Sequence, residues 1–286
     1  MCVTCGCEAS AQVHGTGHVH DHDHHHEHEH PHDHATAGSM PGTAGFGVLR
    51  PAATRTVSVE QDLLAKNDRY AAQNRRRFLA ERVLALNLVS SPGSGKTTLL
   101  VATLHALAGQ WPLAVIEGDQ QTSLDADRIA ATGAPVVQLN TGKGCHLDAH
   151  QVGHALDSLA LPSGGVLFIE NVGNLVCPAA FDLGEAHKVV VLSVTEGDDK
   201  PLKYPDMFRA ADLCLITKSD LLPYVPFDLL RALGNARAIN PSLQCLTLSV
   251  ISGVGFDQWL GWLKRELAQP RPATVRPAGA AAGAGA

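Results

Sequence analysis

Lysine and arginine are absent from the first 49 of the 286 residues, although the chain holds 22 of them. The same stretch carries six acids, Glu8, Asp21, Asp23, Glu27, Glu29 and Asp33. The formal charge of −6 therefore belongs to this arm, and the other 22 acids balance 22 bases. No clustered Lys/Arg surface is written into the sequence, which argues against a nucleic-acid partner. The short run Arg75-Arg76-Arg77 reads as the solvated face of a helix. No apolar run approaches the roughly 18 residues needed to cross a bilayer, so no membrane span is expected. No basic segment followed by an apolar one opens the chain, so no secretory signal is expected. Cysteine is sparse, odd in number at seven and mostly scattered, which is a poor disulfide framework. A cytoplasmic, reduced protein is the expectation.

What is present divides the chain in three. Residues 1–50 are low in complexity, Cys-rich at first and then dominated by His, Asp and Glu. Such a composition cannot bury enough apolar surface to fold alone, and a disordered metal-binding arm is expected. Residues 269–286 are Pro followed by Ala/Gly and read as a disordered tail. Between them, 51–268 alternates short apolar runs with amphipathic stretches. Strands are expected at 83–90, 113–118, 135–140, 165–170, 188–195, 212–220 and 243–249. Helices are expected in a leading segment before 83 and near 97–108, 146–160, 226–238 and 256–267. Continuous apolar strands alternating with helices indicate an α/β fold, a mainly parallel sheet covered on both faces.

The stretch "LNLVSSPGSGKTTLL" lies between the first expected strand and its helix. Gly95-Lys96-Thr97 supply the second half of the P-loop pattern G-x-x-x-x-G-K-[ST], with Ser90 at the first glycine position. Gly93, Ser94 and Gly95 let backbone N–H groups converge on phosphate oxygens, and Thr98 continues the helix start. Lys96 would reach the β/γ-phosphates, and Thr97 would ligate Mg²⁺. Further on, Thr217-Lys218-Ser219-Asp220 follows an apolar strand and is similar to the guanine element N-K-x-D, with Thr for Asn. Asp220 could accept both N–H donors on the edge of guanine, Lys218 would cover the base, and GTP is the expected nucleotide. Ser249 falls where a third base-contacting loop belongs, with backbone contacts only expected there. Two strand-end acids are candidates for catalysis, Mg²⁺ binding or water positioning: Asp119 in "VIEGDQQ" and Glu170 in "LFIENVGN". The latter is similar to a D-x-x-G switch ending at Gly173.

A second chemistry is present. Cys145 and His146 stand side by side in "TGKGCHLDAH", expected to open a helix. Thiolate and imidazole suit Ni²⁺, Zn²⁺ or Cu ions rather than Mg²⁺. Cys177 lies seven residues after Glu170, so a switch at Glu170–Gly173 could move it. His150 and His154 follow at helical spacing and could extend the site. Cys214 and Cys245 read as core residues.

Taken together, "SSPGSGKTTLL", "EGDQQT", "TGKGCHLDAH", "ENVGNLVCP", "TKSDLLPY" and "SGVGFDQWLGWL" resemble the HypB family of hydrogenase nickel-insertion GTPases. The resemblance covers about 57–268 and the extreme N-terminus. It implies slow GTP hydrolysis and a GTP-promoted homodimer. It also implies a metal site of Cys145, His146 and Cys177 near the dimer interface. The implied client is a [NiFe]-hydrogenase large-subunit precursor, served with a nickel-binding partner chaperone. "MCVTCGC" is similar to the C-x-x-C-G-C element of some members, with Cys2, Cys5 and Cys7 as thiolates for Ni²⁺ or Zn²⁺. The histidines His18, His20, His22, His24, His25, His26, His28, His30, His32 and His34 read as a nickel reservoir. Two other functions are alternatives: a nickel/zinc storage protein with a secondary G domain, and a urease-type nickel-insertion GTPase, against which the "CGC" and "GCHLDAH" elements argue.

Overall fold

The computed structural model describes residues 53–269 apart from 121, 122 and 143. The expectations for Cys2, Cys5, Cys7, His18–His34 and the tail lie outside these residues. Seven strands are seen: β1 (Leu84–Ser90), β2 (Leu113–Asp119), β3 (Val136–Asn140), β4 (Val166–Glu170), β5 (His187–Ser193), β6 (Leu213–Thr217) and β7 (Gln244–Thr247). They form one parallel sheet in the order β3-β2-β4-β1-β5-β6-β7. Around it lie α1 (Ala53–Ala80), α2 (Lys96–Leu107), α3 (Leu124–Ala130), α4 (Ala149–Ser158), α5 (Lys200–Lys203), α6 (Pro205–Ala210), α7 (Leu229–Ile239) and α8 (Phe256–Ala268).

The strands are mostly apolar because both faces are covered. Leu84, Leu86 and Leu88 of β1 join Phe168, Leu100, Leu104 and Trp259 in one core layer under α2 and α8. Their neighbour Ala85 joins Leu167, Ile116, Val152 and Phe78 in another, under α1 and α4. This is the two-residue alternation of a strand expressed on a doubly covered sheet. Trp259 is fully buried and donates its Nε1–H to Thr103 Oγ1 at 2.9 Å, so the largest core side chain has its polar atom paired.

Two local expectations change. Arg75 and Arg77 are not simply solvated. Arg75 makes two bonds of 2.8 and 2.7 Å to Asp182, and Arg77 reaches Asp157 at 2.8 Å and the Leu156 carbonyl at 2.8 Å. The run of three straddles a helix edge, so Arg76 is exposed while Arg75 and Arg77 are only partly so. The helix near 146 starts later, at Ala149, because Asp148 caps it in a reciprocal box with Gln151. Cys145 and His146 therefore precede the helix instead of opening it. The short helices α3, α5 and α6 carry too few apolar repeats to announce themselves.

The chain leaves β1 for the β2/β3 side, returns through β4, then crosses to β5 and onward. The strand order reverses at β1, and the carboxyl ends of the strands there are where α/β sheets bind ligands.

Candidate functional site

The turn after β1 holds Gly93 and Gly95 at φ 75° and 92°, left-handed values that side chains disfavour. Lys96 opens α2 almost wholly buried, and its ammonium donates to Ser90 Oγ at 2.8 Å. Ser90, at the first glycine position of the pattern, thus holds the lysine in place. Burial pulls the Lys96 pKa down, against the nearby charges of Glu170, Asp125, Glu196 and Glu117. A cavity of about 490 Å³ opens beside this loop, lined among others by Thr97, Thr98, Glu117, Asp119, Glu170, Gly173 and Lys218.

Acids form one wall of it. Thr97 donates its hydroxyl to Glu170 Oε1 at 2.7 Å, which leaves Glu170 Oε2 buried without a partner. Burial pushes the Glu170 carboxyl up, opposed by Lys96 and by the Thr97 bond. Glu117, two residues before Asp119, is equally buried and also leaves Oε2 without a partner. Burial, then the charges of Glu170, Asp119 and Asp125, push its carboxyl up to about 8. Hard oxygen donors with two unpaired buried atoms on a cavity wall fit a small divalent cation such as Mg²⁺. Glu117, Asp125 and Arg128 also line this wall; Glu117 opens the "EGDQQT" segment without an assigned role there, and Asp125 and Arg128 belong to no motif segment. The one signal for Glu117 is an acid inside an otherwise apolar strand. Gly173 abuts the loop: a Cβ there would meet Pro92 at 3.0 Å, so glycine allows the approach.

At the other end, Lys218 takes the left-handed φ of 59° and donates to the Gly93 carbonyl at 2.8 Å. Thr217 donates to the Ser94 carbonyl at 2.8 Å. The strand β6 element is thereby fastened to the phosphate loop. Asp220 lies just past this point and accepts the Ser249 hydroxyl. Backbone contact alone was expected of Ser249; its side chain instead orients the Asp220 carboxylate.

Cys145, His146 and Cys177 come together. Their ligating atoms all lie within 4.8 Å of one another, and Cys145 Sγ is 3.6 Å from His146 Nδ1. All three are half-buried, and the His146 ring rests on Phe181 with centroids 4.0 Å apart. Burial lowers the His146 pKa, with Asp148 opposing and Lys188 adding to the effect, which favours the neutral, ligating imidazole. His150 and His154 stay outside this group, exposed on α4 with their Nε2 atoms 3.0 Å apart.

Buried amides join the two regions. Asn171, next to Glu170, accepts from Leu147 N at 2.9 Å, next to His146, and donates to Asn87 Oδ1 on β1 at 3.2 Å. Asn174 donates to the Cys145 carbonyl at 3.3 Å. On the far side, the Lys188 ammonium donates to the carbonyls of Pro178, Ala179 and Phe181 at 2.9, 3.2 and 3.0 Å. It thereby caps the turn that begins at Cys177, and it lies 3.9 Å from the buried Glu185 carboxylate. Asn87, Asn171 and Asn174 lie within motif segments without an assigned role, and Lys188 and Glu185 lie outside them; their signal is polarity at positions otherwise expected to be core. No helix among the described residues is long and apolar enough to cross a membrane.

Comparison with known proteins agrees with this geometry. The family model of the CobW/HypB/UreG nucleotide-binding domain matches residues 84–247. The hydrogenase maturation factor HypB of Azotobacter vinelandii is 64% identical over 213 residues, 74% of this chain and 70% of that one. The crystal structure of HypB from Archaeoglobus fulgidus superposes with a TM-score of 0.67 at 38% identity, covering 71% of this chain and 99% of that chain. That of HypB from Helicobacter pylori in complex with nickel gives 0.67 at 39% identity, covering 71% and 95%. The chain belongs to the HypB family of hydrogenase maturation factors.

Proposed function

We propose that the chain binds and hydrolyses GTP slowly, and uses that cycle to hold and release nickel during [NiFe]-hydrogenase maturation. The observation that carries this is the join between the sites. Glu170 lines the nucleotide cavity, Asn171 and Asn174 bond the segment of Cys145 and His146, and Cys177 lies seven residues on. The H. pylori relative solved with nickel supports nickel as the cargo. The His-rich sequence of the arm supports local storage in the same molecule.

In this reading the Gly93–Thr98 loop cradles the phosphates, and Lys96 neutralises charge on them. Thr97, Asp119 and Glu170 would hold Mg²⁺, which screens the phosphate charge when bound. Asp119 or Glu170 orients the attacking water. Asp220, oriented by Ser249, accepts from guanine, and Lys218 covers the base. Loss of the γ-phosphate frees Gly173 to move away from Pro92. The segment through Asn174 then shifts, the Cys145–His146–Cys177 set loosens, and nickel leaves for a partner chaperone or the large-subunit precursor. GTP also closes a homodimer in the cytoplasm.

Calorimetric titration of the full chain with Ni²⁺, in GDP and in a non-hydrolysable GTP analogue, tests this. A nickel affinity that differs between the two nucleotides is expected, with the difference absent in Cys145→Ala. Equal affinities in the wild-type protein, or a Cys145→Ala chain that keeps the difference, would refute it.

A further inference from the structure

One wall of the nucleotide cavity contains an acid that neither the phosphate loop nor the switch element explains. Glu117 on β2 is the register partner of Glu170 on β4 and of Gln138 on β3. Register partners share a face of the sheet, so three polar side chains stand abreast at the same level of three consecutive strands. Gln138 stands beside the Glu117 carboxylate and opposes its upward pKa shift. Glu117 is 2% exposed and Glu170 4%, and each leaves one carboxylate oxygen without a partner among the described residues. Both line the cavity.

Buried acids on neighbouring strands repel and lose their hydration, so they either hold a proton or are met by positive charge. The lining offers Lys96, Arg128 and Lys218 against Glu117, Asp119, Asp125 and Glu170, and Lys218 sits at the other end, donating to the Gly93 carbonyl at 2.8 Å. Lys96 already donates to Ser90, and Arg128 is engaged by Asp125 at 3.0 Å and Thr98 at 3.2 Å. A hard divalent cation supplies the missing charge and takes oxygen donors, directly or through its retained waters. An acid serves no packing purpose at this position, since Val115, the preceding residue on the same face of β2, is apolar core.

We propose that Glu117 is a further carboxylate of the cation centre, which acts with Glu170 to neutralise and orient the divalent cation accompanying the nucleotide. It works through the cation rather than on the phosphate, so it is a positioning residue. The proposal rests on the nucleotide reading above.

The test is the Mg²⁺ dependence of release of a fluorescent GDP from the full chain, wild type against Glu117→Gln. The amide keeps the volume and an acceptor for Gln138 and removes the charge. The Mg²⁺ concentration for half-maximal slowing of release should rise by about tenfold or more, as for residues that support a metal from behind its ligands. Release in EDTA should match the wild type. An unchanged Mg²⁺ requirement overturns the proposal. So does a loss of GDP affinity as large in EDTA as in Mg²⁺, because that is a packing effect. Should Glu117→Gln fail to fold, Glu117→Asp keeps the charge but shortens the reach. The same Mg²⁺-specific shift is expected there, and its absence is equally decisive. If wild-type release ignores Mg²⁺ altogether, the nucleotide reading itself fails, which is a different result.

Discussion

In the nucleotide cavity, Lys96, Glu117 and Glu170 are nearly sealed from water, and two carboxylate oxygens have no partner among the described residues. In the Cys145–His146–Cys177 group the donors are only half-buried, and it is the backbone around them that is tied down, by Asn171, Asn174 and Lys188. The first arrangement holds buried carboxyls whose ionised form is disfavoured, and it gains most from a ligand that supplies positive charge. The second offers soft donors, one of them an imidazole that burial keeps neutral, on loops whose positions are set from outside. A site of that second kind can weaken when its supports shift, without any donor being removed. The two kinds of site are separate groups of residues joined by the side chains of Asn171 and Asn174.

The contrast breaks most severely at Lys188. Replacing it in Lys188→Met leaves Glu185, a buried acid, without its cation, and strips a donor from three carbonyls of the Cys177 turn. Removing one partner of a buried ion pair costs about 3–5 kcal/mol. Urea unfolding should show a loss of that order, with nickel affinity of the group falling alongside. A loss below about 1 kcal/mol would mean that the turn is held by something other than this ammonium. A smaller effect, but a more specific one, is expected at Asn171. Asn171→Ala leaves the buried Leu147 N–H and Asn87 carbonyl without partners, at about 1–3 kcal/mol. If the two regions speak through this amide, the nickel affinities measured in GDP and in a GTP analogue should converge. Full retention of the difference would confine coupling to the peptide chain between Glu170 and Cys177.

These supports also mark where the sequence stops being readable. The fold was legible because β1, β4 and β5 are apolar on both faces, and only a doubly covered parallel sheet accommodates that. The phosphate loop was legible because its function is carried by consecutive backbone groups, so Gly93 to Thr97 must be neighbours in sequence too. The metal group was half legible: Cys145 and His146 adjoin, but Cys177 joins them only through the β4 crossover. Asn87, Asn171 and the Glu185–Lys188 pair were not legible as partners, because they lie on three segments far apart in sequence and a polar residue in an apolar run does not name its partner. Glu117 fell to the same difficulty. The Arg75–Arg77 run misled because charge in a helix suggests water, whereas Arg75 and Arg77 reach across to fixed carboxylates and carbonyls. The helix start at Ala149 was misplaced because the capping signal Asp148 lies inside the histidine-bearing motif.

The mildest prediction separates the fold from the sites. His187 is the neighbour of Lys188 on β5, and the strand alternation sends the two side chains to opposite faces. Lys188 goes to the Cys177 turn; His187 goes to Glu266 at 3.1 Å, Asp212 at 3.6 Å and the edge of Trp262. Burial alone would lower the His187 pKa, but the Asp212 carboxylate and then that of Glu266 outweigh it and hold it above the ordinary value. A histidine whose pKa rises on folding favours the native state while it is protonated. Its contribution is therefore complete below the unfolded pKa of about 6.5 and disappears as pH climbs through the higher folded value. The urea midpoint of the wild type should exceed that of His187→Gln most clearly near pH 6, and the gap should narrow as pH rises. A gap that widens with pH would show that His187 is neutral in the fold. Because this cluster shares no residue with either candidate site, any pH dependence of nickel binding that survives in His187→Gln belongs to the sites, and any that vanishes belongs to the stability of the sheet that carries them.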